Sequence, residues 1–570
     1  MDGPNLSPEM QATLTSVCQT RMETLRTVRL PWWQHWGQLA EMFLPRRYRW
    51  FITPNQWTRG SPMNQSIVDE TGLLSARTLA SGLLSGLTSP TKPWFRLAIH
   101  GMEDVDSGPV RSFMAECETR LGRVYAESNF YQALGESYHQ LSVFGSSPMI
   151  QYEDYEDVVR FYVPCLGEFM YALDNRLVVS TLYREYTYTA CECVDEFGLE
   201  NCSDNVQTLY KTPSGRDTEV IIGHVIEPNY DVYLSGVNYG CPLPASFSYR
   251  EVFWESSTQG KQGNNSPLRV RGFREKPFVG ARWDVTSNDP YGRSPGMDAL
   301  PAVRQSQIMV RRQAEAIDKM VRPPMVASVA MKNEPMSILP GGISYVADVA
   351  NNGFKPAFTV DPRLQELDGT LEQVRQRIGE IFFVPLFLMF NQLSDTTMRT
   401  ATEIDARKEE KLIQLGPVIE RFENEVLNPT IQRTFNIMRR KGLLPPEPPE
   451  IAGKPIVIQY ISMLAEAQRA AQTTAIERLL QFAGGLVAVQ PQALDNVDVD
   501  EAIEEYGNLL NVPTHIIRDA KGIAAIRQAR TQQQQQAAAL QASTALAQGA
   551  KTLSQTDVGG GQNALQRMIG

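Results

Sequence analysis

The chain has 570 residues, a hydrophobic fraction of 42%, and a formal net charge of −10 from 54 basic and 64 acidic side chains. This length is several times that of an ordinary single domain, and the hydrophobic fraction is typical of a folded protein with a packed core. The acidic balance excludes a protein that grips nucleic acid over its whole surface, because neutralising phosphates requires basic side chains; weak, local contact with nucleic acid stays open.

The cysteines and the N-terminus indicate the compartment. Seven cysteines occur without a Cys-x-x-Cys pair, and the cluster of Cys191, Cys193 and Cys202 has no histidine nearer than His224, so we expect reduced structural thiols rather than a zinc site. The N-terminus lacks the order of a signal peptide. The most apolar stretch, 381–390, is too short to span a bilayer. We expect a soluble protein, without membrane contact, assembled in the cytoplasm.

The N-terminal part is predicted to be helical. Residues 7–44 carry apolar side chains at helical spacing, with Pro31 in the middle and an aromatic-rich segment after it. In that segment we expect His35 to be packed in a core. A second helix, over 66–87, is rich in small residues, and Gly82 would let another element approach closely.

That second helix is followed by Ser89-Pro90 and then by Trp94 and Phe95, in the stretch "SGLTSPTKPWF". The residue before a proline is disfavoured in a helix. We therefore expect a helix end followed by an aromatic packing anchor that carries no chemistry.

Residues of about 150–285 are rich in valine, isoleucine, threonine and aromatic side chains with partial alternation, and turn-like stretches separate them. This texture predicts a mainly antiparallel β region. One of the predicted strand segments is 177–194.

Two helices are predicted around a small module. The first covers 301–322 and carries five basic and two acidic side chains. Short strands and turns follow over 323–362, and Asp361-Pro362 starts the second helix, over 363–384. The expected apolar faces are Val303, Val310, Ala314, Ile317 and Val321 on the first helix, and Leu364, Leu367, Leu371, Val374, Ile378 and Ile381 on the second.

Paired helices of this kind can wall a channel if identical subunits form a ring, and sparse basic side chains suit passing DNA, because tight phosphate contacts would stop sliding. An ordinary helical hairpin with solvated arginines is the alternative. A polar segment at 391–399 then precedes a helix that Pro417 and Pro429 should kink or divide.

The C-terminal part, from 450, is predicted to have a short strand and then helices. The five glutamines at 532–536 lie among alanines. They fit a polar surface helix or barrel wall, and a disordered tail stays open as the alternative.

Motifs of catalysis are missing from the sequence. It has no P-loop, H-E-x-x-H, G-x-S-x-G or G-x-G-x-x-G pattern, and its five histidines are scattered. The carboxylate clusters at 152–157 and 495–505 are expected to be solvated surfaces. We expect no enzyme, and no catalytic, cofactor-binding or metal-binding residue.

Several segments nevertheless resemble one family, the portal proteins, or head-to-tail connectors, of short-tailed bacteriophages. The resemblance covers about residues 10–450. It is carried by "DETGLLSARTLASGLLSGLTSPTKPWFRL" at 69–97, "DPYGRSPGMDALPAVRQ" at 289–305, "RPPM" at 322–325 and "MRTATEIDARKEEKLIQLGPVIERFENEVLNPTIQRTF" at 398–435.

The resemblance implies an α+β, mainly helical portal fold with a wing, a two-helix stem, a small α/β clip, a tunnel loop and a helical crown or barrel. The implied parts are a wing at 1–300, stem helices at 301–322 and 363–384, a clip at 323–362, a tunnel loop at 385–400, a long kinked helix returning to the wing at 401–449, and a crown at 450–570 whose end is flexible.

The resemblance also implies a ring, a dodecamer, at one capsid vertex of the virion, with double-stranded DNA passing through it. The implied partners are the terminase large subunit, then a tail adaptor or head-completion protein, and the major capsid and scaffolding proteins. Another structural virion component, such as a tail adaptor or internal core protein, or a packaging enzyme, is the alternative.

Candidate site residues follow from this mapping. The DNA-channel candidates are Arg304, Arg311, Arg312, Lys319, Arg375, Arg377 and Arg399. The tunnel-loop residues are Asn391, Gln392, Ser394, Asp395, Thr396 and Thr397, and the clip candidates for partner contact are Lys332, Asn333 and Glu334. The tunnel loop has one base and one acid, so we expect a steric or valve-like role rather than an electrostatic grip.

Overall fold

The computed structural model describes residues 7–50, 67–99, 108–258, 261–262, 266–322, 325–326, 355–356, 364–392, 414–449, 456–461 and 520–555, with 476, 479–481, 502 and 506. The chain divides into two units. The first comprises Met1–Glu103 and Ser112–Gln468, and the second comprises Asp104–Arg111 and Arg469–Gly570.

Helices and strands both contribute to the described residues, so the protein is α+β as predicted. The main helices are α1 Pro8–Phe43, α2 Thr71–Leu87, α3 Gly108–Glu127, α4 Phe130–Phe144, α5 Ala190–Phe197, α6 Asp204–Lys211, α7 Pro295–Val321, α8 Leu364–Ile381, α9 Val384–Gln392, α10 Asn428–Arg440 and α11 Ala520–Gln555.

The strands follow the prediction of an antiparallel region. They are β1 Phe95–Ile99, β2 Ser146–Glu153, β3 Val159–Tyr162, β4 Phe169–Leu173, β5 Val179–Thr189, β6 Glu219–Pro228, β7 Tyr233–Leu234, β8 Val237–Asn238, β9 Tyr249–Thr258, β10 Lys261–Gln262, β11 Pro267–Phe273, β12 Phe278–Arg282, β13 Met325–Val326, β14 Lys355–Pro356 and β15 Ile456–Tyr460.

A six-stranded sheet is the centre of the β region. Its order is β10-β9-β6-β5-β4, with β11 also paired to β9, and a separate three-stranded sheet has the order β12-β2-β3. The described pairings in both sheets are antiparallel.

Helix α1 covers one face of the six-stranded sheet. The Ser7 side chain caps its start by accepting from the Met10 amide at 3.3 Å, and the helix continues through Pro31. Leu14, Cys18 and Met22 pack against sheet residues in one buried cluster. The prediction over 7–44 is confirmed, but His35 is only half-buried, and its neighbour Trp36 is the fully buried residue.

Helices α5 and α6 cover part of the opposite face. The prediction of strand through 194 is wrong, because Thr189 ends β5 and starts α5 with a reciprocal capping box to Glu192. Residues Cys193, Val194 and Phe197 then pack on the sheet in a second buried cluster.

Close packing around Gly82 is confirmed. A Cβ atom at this position of α2 would lie 2.3 Å from the ring of Phe387 on α9. Trp94 and Phe95 also behave as the predicted anchor. Both are buried, Trp94 Nε1 donates to the Tyr131 hydroxyl at 3.2 Å, and the Trp94 ring stacks on Tyr460.

Helix α7 starts six residues before the predicted position. Ser294 caps it by accepting from the Met297 amide at 3.1 Å, and Pro295 occupies its first turn. Pro301, the predicted first residue, lies inside the helix. Either proline could occupy the first turn of a helix. The helix starts at Pro295 because Ser294, directly before it, provides the N-cap.

Helix α8 also differs from its predicted range. It ends at Ile381, and Phe383 has a left-handed φ of 55° before α9 begins. The tunnel loop predicted from 385 is therefore wrong over 385–392, which is helical. Its remaining residues, 393–400, lie outside the described residues.

The long helix is divided near one of its two prolines. Residues 414–422 are α-helical through Pro417 without interruption. A π-helical segment, Glu423–Leu427, then leads into α10, whose second residue is Pro429. A proline ring clashes with the carbonyl four residues earlier in a regular α-helix, and the wider π turn lies just there.

The short strand predicted after 450 is β15, which pairs with β1 in the first unit, with Phe95 opposite Tyr460. The second unit resumes at Arg469. Helix α11 spans the glutamines at 532–536, which are exposed. This agrees with a polar surface helix rather than a disordered tail for 520–555.

Candidate functional site

Helices α7 and α8 pack against each other, and they are the elements that carry most of the channel candidates. Gln313 of α7 donates to Asp368 of α8 at 2.6 Å. At the base of the pair, the Gln307 side chain accepts from the Asp69 amide at 3.0 Å and donates to the Asp69 carbonyl at 2.6 Å. The segment before α2 therefore fixes the base of α7.

The two halves of α7 differ in burial. Its buried residues extend from Pro295 to Gln307, and none of the residues from 308 to 321 is buried. Of the predicted apolar face, Val303 is buried, whereas Ile317 and Val321 are exposed. On α8, Leu371, Val374 and Ile378 are buried and Leu367 is exposed.

The DNA-channel candidates fall into two groups. Arg304, Arg311, Lys319 and Arg377 are exposed, and none has an ion-pair contact within the described part of the chain. Arg312 is exposed but pairs with Glu315 at 2.8 Å.

Among the channel candidates, Arg375 forms an ion pair with a residue outside the helix pair. Its Nε lies 3.3 Å from an Asp69 carboxylate oxygen, and the Asp69 side chain is buried. Burial opposes ionisation of Asp69, but hydrogen bonds from Thr71 and the charge of Arg375 hold its pKa below the ordinary value. The Arg375 charge is thus compensated within the chain.

The remaining predicted site residues lie either at the end of α9 or outside the described residues. Asn391 and Gln392 end helix α9. The other candidates lie outside the described residues: Arg399, Ser394, Asp395, Thr396 and Thr397 of the tunnel loop, and Lys332, Asn333 and Glu334 of the clip. Of 323–362, the structure describes only the short pair β13–β14.

A buried charge network that sequence reasoning missed crosses the six-stranded sheet. Arg250 makes two contacts to Glu227, at 2.9 and 2.5 Å, and both side chains are buried. Arg184 pairs with buried Glu168 at 3.4 Å. The only sequence signal was polar side chains at alternate strand positions, which does not identify their partners.

A histidine belongs to the same network. The Nε2 atom of His224 lies 2.8 Å from Glu251, which also contacts Arg271. Burial, opposed by Glu251, lowers the pKa of His224 to about 4. Burial alone would raise the pKa of Glu251, but Arg271 and His224 hold it at about 2. At neutral pH the network therefore contains a carboxylate, a guanidinium and an uncharged imidazole.

The seven cysteines are a second set of candidate reactive groups. All seven are free thiols, and Cys193 and Cys202 lie with their sulfurs 3.8 Å apart. Within the described residues no group of three or more His, Cys, Asp or Glu side chains is placed to hold a metal ion. Over the same residues, no helix is long and apolar enough to cross a membrane.

The described residues form an α+β body with buried ion pairs, and the α7–α8 pair leaves basic and apolar side chains exposed. The chain belongs to the family of bacteriophage head to tail connecting proteins, whose model matches residues 15–517.

Two relatives match over nearly their whole length. The "Portal protein" of Salmonella phage epsilon15 is 37% identical over 538 residues, covering 94% of each chain. The "Probable portal protein" of Bordetella phage BPP-1 is 36% identical over 534 residues, covering 94% of this chain and 93% of the relative. The chain therefore acts as a head-to-tail connector, and such proteins are structural virion components.

Among solved structures, the virion of a native gene transfer agent particle matches with 11% sequence identity and a TM-score of 0.30. The match covers 72% of this chain and 85% of the other.

Proposed function

We propose that the chain forms a closed ring with copies of itself, a dodecamer, at one capsid vertex, and that α7 and α8 are the stem helices lining its channel. The observation that supports this is the change of burial along α7. Ile308 and Val321 are 61% and 73% exposed, and exposed apolar side chains on one element are typical of a surface that a partner covers. A neighbouring subunit would cover them.

Double-stranded DNA would pass along the exposed basic side chains of this pair. Arg304, Arg311, Lys319 and Arg377 are separate from one another in sequence and carry no compensating partner among the described residues. Scattered cations on an acidic chain attract phosphate over a short range without a continuous grip. Such a wall favours sliding in both packaging and ejection.

The wing, at 1–300 with the returning helix of 401–449, would face the major capsid and scaffolding proteins. The clip, at 323–362, would dock the terminase large subunit during packaging and the tail adaptor or head-completion protein afterwards, with Lys332, Asn333 and Glu334 as contact candidates. The loop of 393–400 would project into the bore and act sterically.

Imaging of the purified protein tests the ring. We expect rings with a central hole, and we expect the double variant Ile308→Asp with Val321→Asp to remain folded but fail to close rings. Leu199→Asp is the matched control, because Leu199 is also an exposed apolar residue but lies outside the helix pair. A monodisperse monomer under assembly conditions, or rings formed equally well by the double variant, would contradict the proposal.

The alternatives predict different results. A tail adaptor or internal core protein would join the particle without forming an independent channel ring of this chain. A packaging enzyme would hydrolyse ATP or cleave DNA, which assays on the purified chain measure directly.

A further inference from the structure

A cavity of about 1190 Å³ lies over the part of the six-stranded sheet that α5 and α6 leave open. Its floor comes from β5, β9 and β11, and its walls come from β3 and the end of α10. Seven basic, three acidic and nine aromatic side chains line it. We call it the arginine–tyrosine cavity, and its local excess of basic side chains contrasts with a chain of net charge −10.

Arg184 is the central basic residue of the floor. It is 5% exposed, and its guanidinium lies 4.5 Å from the Tyr162 ring centroid and 4.6 Å from the Tyr186 ring centroid. Its Nη atoms contact Glu168 and His224, but its Nε is buried without a hydrogen-bond partner among the described residues. A buried donor without a partner is costly and rare.

The rest of the floor is held rigid by paired groups. Glu251 accepts from Arg271 and, at 3.1 Å, from the Tyr152 hydroxyl. The Arg271 guanidinium lies over the Tyr152 and Phe273 rings. These contacts fix a surface of guanidinium edges and ring faces before any ligand arrives, which reduces the entropy cost of binding.

The rim of the cavity carries exposed arginine side chains that are not paired within the described residues. Arg160 and Arg274 are exposed and line the cavity, and neither side chain makes a hydrogen bond or ion pair with another described residue. Tyr155, also at the rim, is fully exposed, with the Lys441 ammonium 5.9 Å from its ring centroid. Arginine and tyrosine are the residues enriched where one protein anchors another.

We propose that the arginine–tyrosine cavity binds an acidic peptide segment of a partner protein. Carboxylate side chains of that segment pair with Arg160 and Arg274 at the rim, and its apolar side chains stack on the tyrosines. Carboxylate is already the partner of arginine on this surface, since Arg269 pairs with Glu196 at 2.5 Å, and the planar fork of arginine matches carboxylate geometry.

A nucleic-acid strand is the competing ligand class, because aromatic rings and arginines also bind single strands. The three acidic side chains of the lining, Glu153, Asp154 and Glu196, favour the peptide. A phosphodiester chain carries a charge at every step and would pass close to them, whereas a peptide can place its carboxylates only opposite the free arginines.

The test measures binding of a fluorescein-labelled (Glu-Phe)₄ peptide to the full-length protein by anisotropy, with (Lys-Phe)₄ and a labelled single-stranded oligonucleotide as comparison probes. We expect the Glu-Phe peptide to bind at least tenfold more tightly than either comparison probe, and to weaken as salt is raised. The double variant Arg160→Glu with Arg274→Glu should lose at least tenfold in affinity.

Arg123→Glu is the matched control, because Arg123 is an exposed arginine of α3 outside the cavity. The affinity of this variant for the Glu-Phe peptide should stay within twofold of that of the parent protein. Equal binding by the parent and the double variant, or tighter binding of the oligonucleotide than of the Glu-Phe peptide, would overturn the proposal. Ring formation by the same samples should be unchanged, so that loss of peptide binding is distinguishable from failure of the proposed ring.

Discussion

The six-stranded sheet and the helix pair α7–α8 use the same side-chain types in opposite ways. In the sheet, Arg250 and Arg184 are buried and paired with carboxylates. On the helix pair, Arg311 and Arg377 are exposed and have no such partner within the described residues. The sheet arginines are thus neutralised within the fold, whereas these helix arginines remain exposed. Equivalent substitutions should therefore have unequal effects in the two regions.

The largest expected effect is at Arg250 in the sheet. Replacing it in Arg250→Ala leaves the buried Glu227 carboxylate with less compensation, and removing one partner of a buried pair typically lowers the free energy of unfolding by about 3–5 kcal/mol. Urea unfolding followed by tryptophan fluorescence measures the loss. Arg311→Ala on the helix pair is the matched control, and we expect a change within about 0.5 kcal/mol. Similar losses for both variants would remove the contrast between the regions.

A pH titration gives the next largest effect. Because burial keeps the pKa of His224 at about 4, below its ordinary value of 6.5, the unfolded chain binds a proton between these pH values and the folded chain does not. Stability from this residue is therefore lost as pH falls from about 6.5 to about 4, by about 3 kcal/mol at most.

His224→Gln should reduce the slope of unfolding free energy against pH within that window. His139, whose pKa burial also lowers to about 4, provides a comparison, since His139→Gln should remove only its own share of the slope. An unchanged slope in His224→Gln would show that His224 is not held uncharged in the folded protein.

A smaller effect is expected where α2 meets α9. Gly82→Ala places a methyl group against the Phe387 ring, and overpacking of this kind costs about 1–3 kcal/mol. Gly122→Ala in α3 is the control, because no atom lies within 4 Å of the added Cβ, and alanine should stabilise this helix by up to about 1 kcal/mol. Thermal unfolding measures the change in Tm for each variant, and equal changes in Tm would contradict the close approach at Gly82.

The smallest effect on stability is expected for charge reversal on the helix pair. Arg311→Glu and Arg312→Glu should change the free energy of unfolding by less than about 0.5 kcal/mol, yet lower DNA packaging or retention, because the phosphates then meet a like charge. Packaged DNA per particle measures this. If ring formation falls as much as packaging, these residues belong to a subunit interface instead of the bore.

Local patterns in the sequence placed α1, α2, α7, α8 and α11, but not always their ends. Apolar spacing predicted α1 and α8. Pro301 gave a false start for α7, because proline is favoured in the first turn of a helix and is rare in its interior, where Pro301 in fact lies. The α5 start was visible in the sequence as Thr189 followed three residues later by Glu192. The cysteines and valine of 191–194 continue the composition of the preceding strand, so the capping pattern was not recognised.

Contacts between distant residues could not be predicted in this way. The pairing of Arg184 with Glu168 and of Glu251 with Arg271 depends on which strands are neighbours and in what register, and neither is encoded in local periodicity. The arginine–tyrosine cavity was missed for the same reason. Among the channel candidates, periodicity could not fix which arginines face a bore, and only the fold shows that Asp69 engages Arg375.

The β1–β15 pair has a consequence for how the chain folds during synthesis. Phe95 pairs with Tyr460, so about 360 residues must be made after β1 before its partner exists, which takes on the order of tens of seconds at ordinary rates of translation. Until then, Trp94 lacks the Tyr460 ring that stacks on it. Completion of this aromatic cluster therefore waits until most of the polypeptide has left the ribosome.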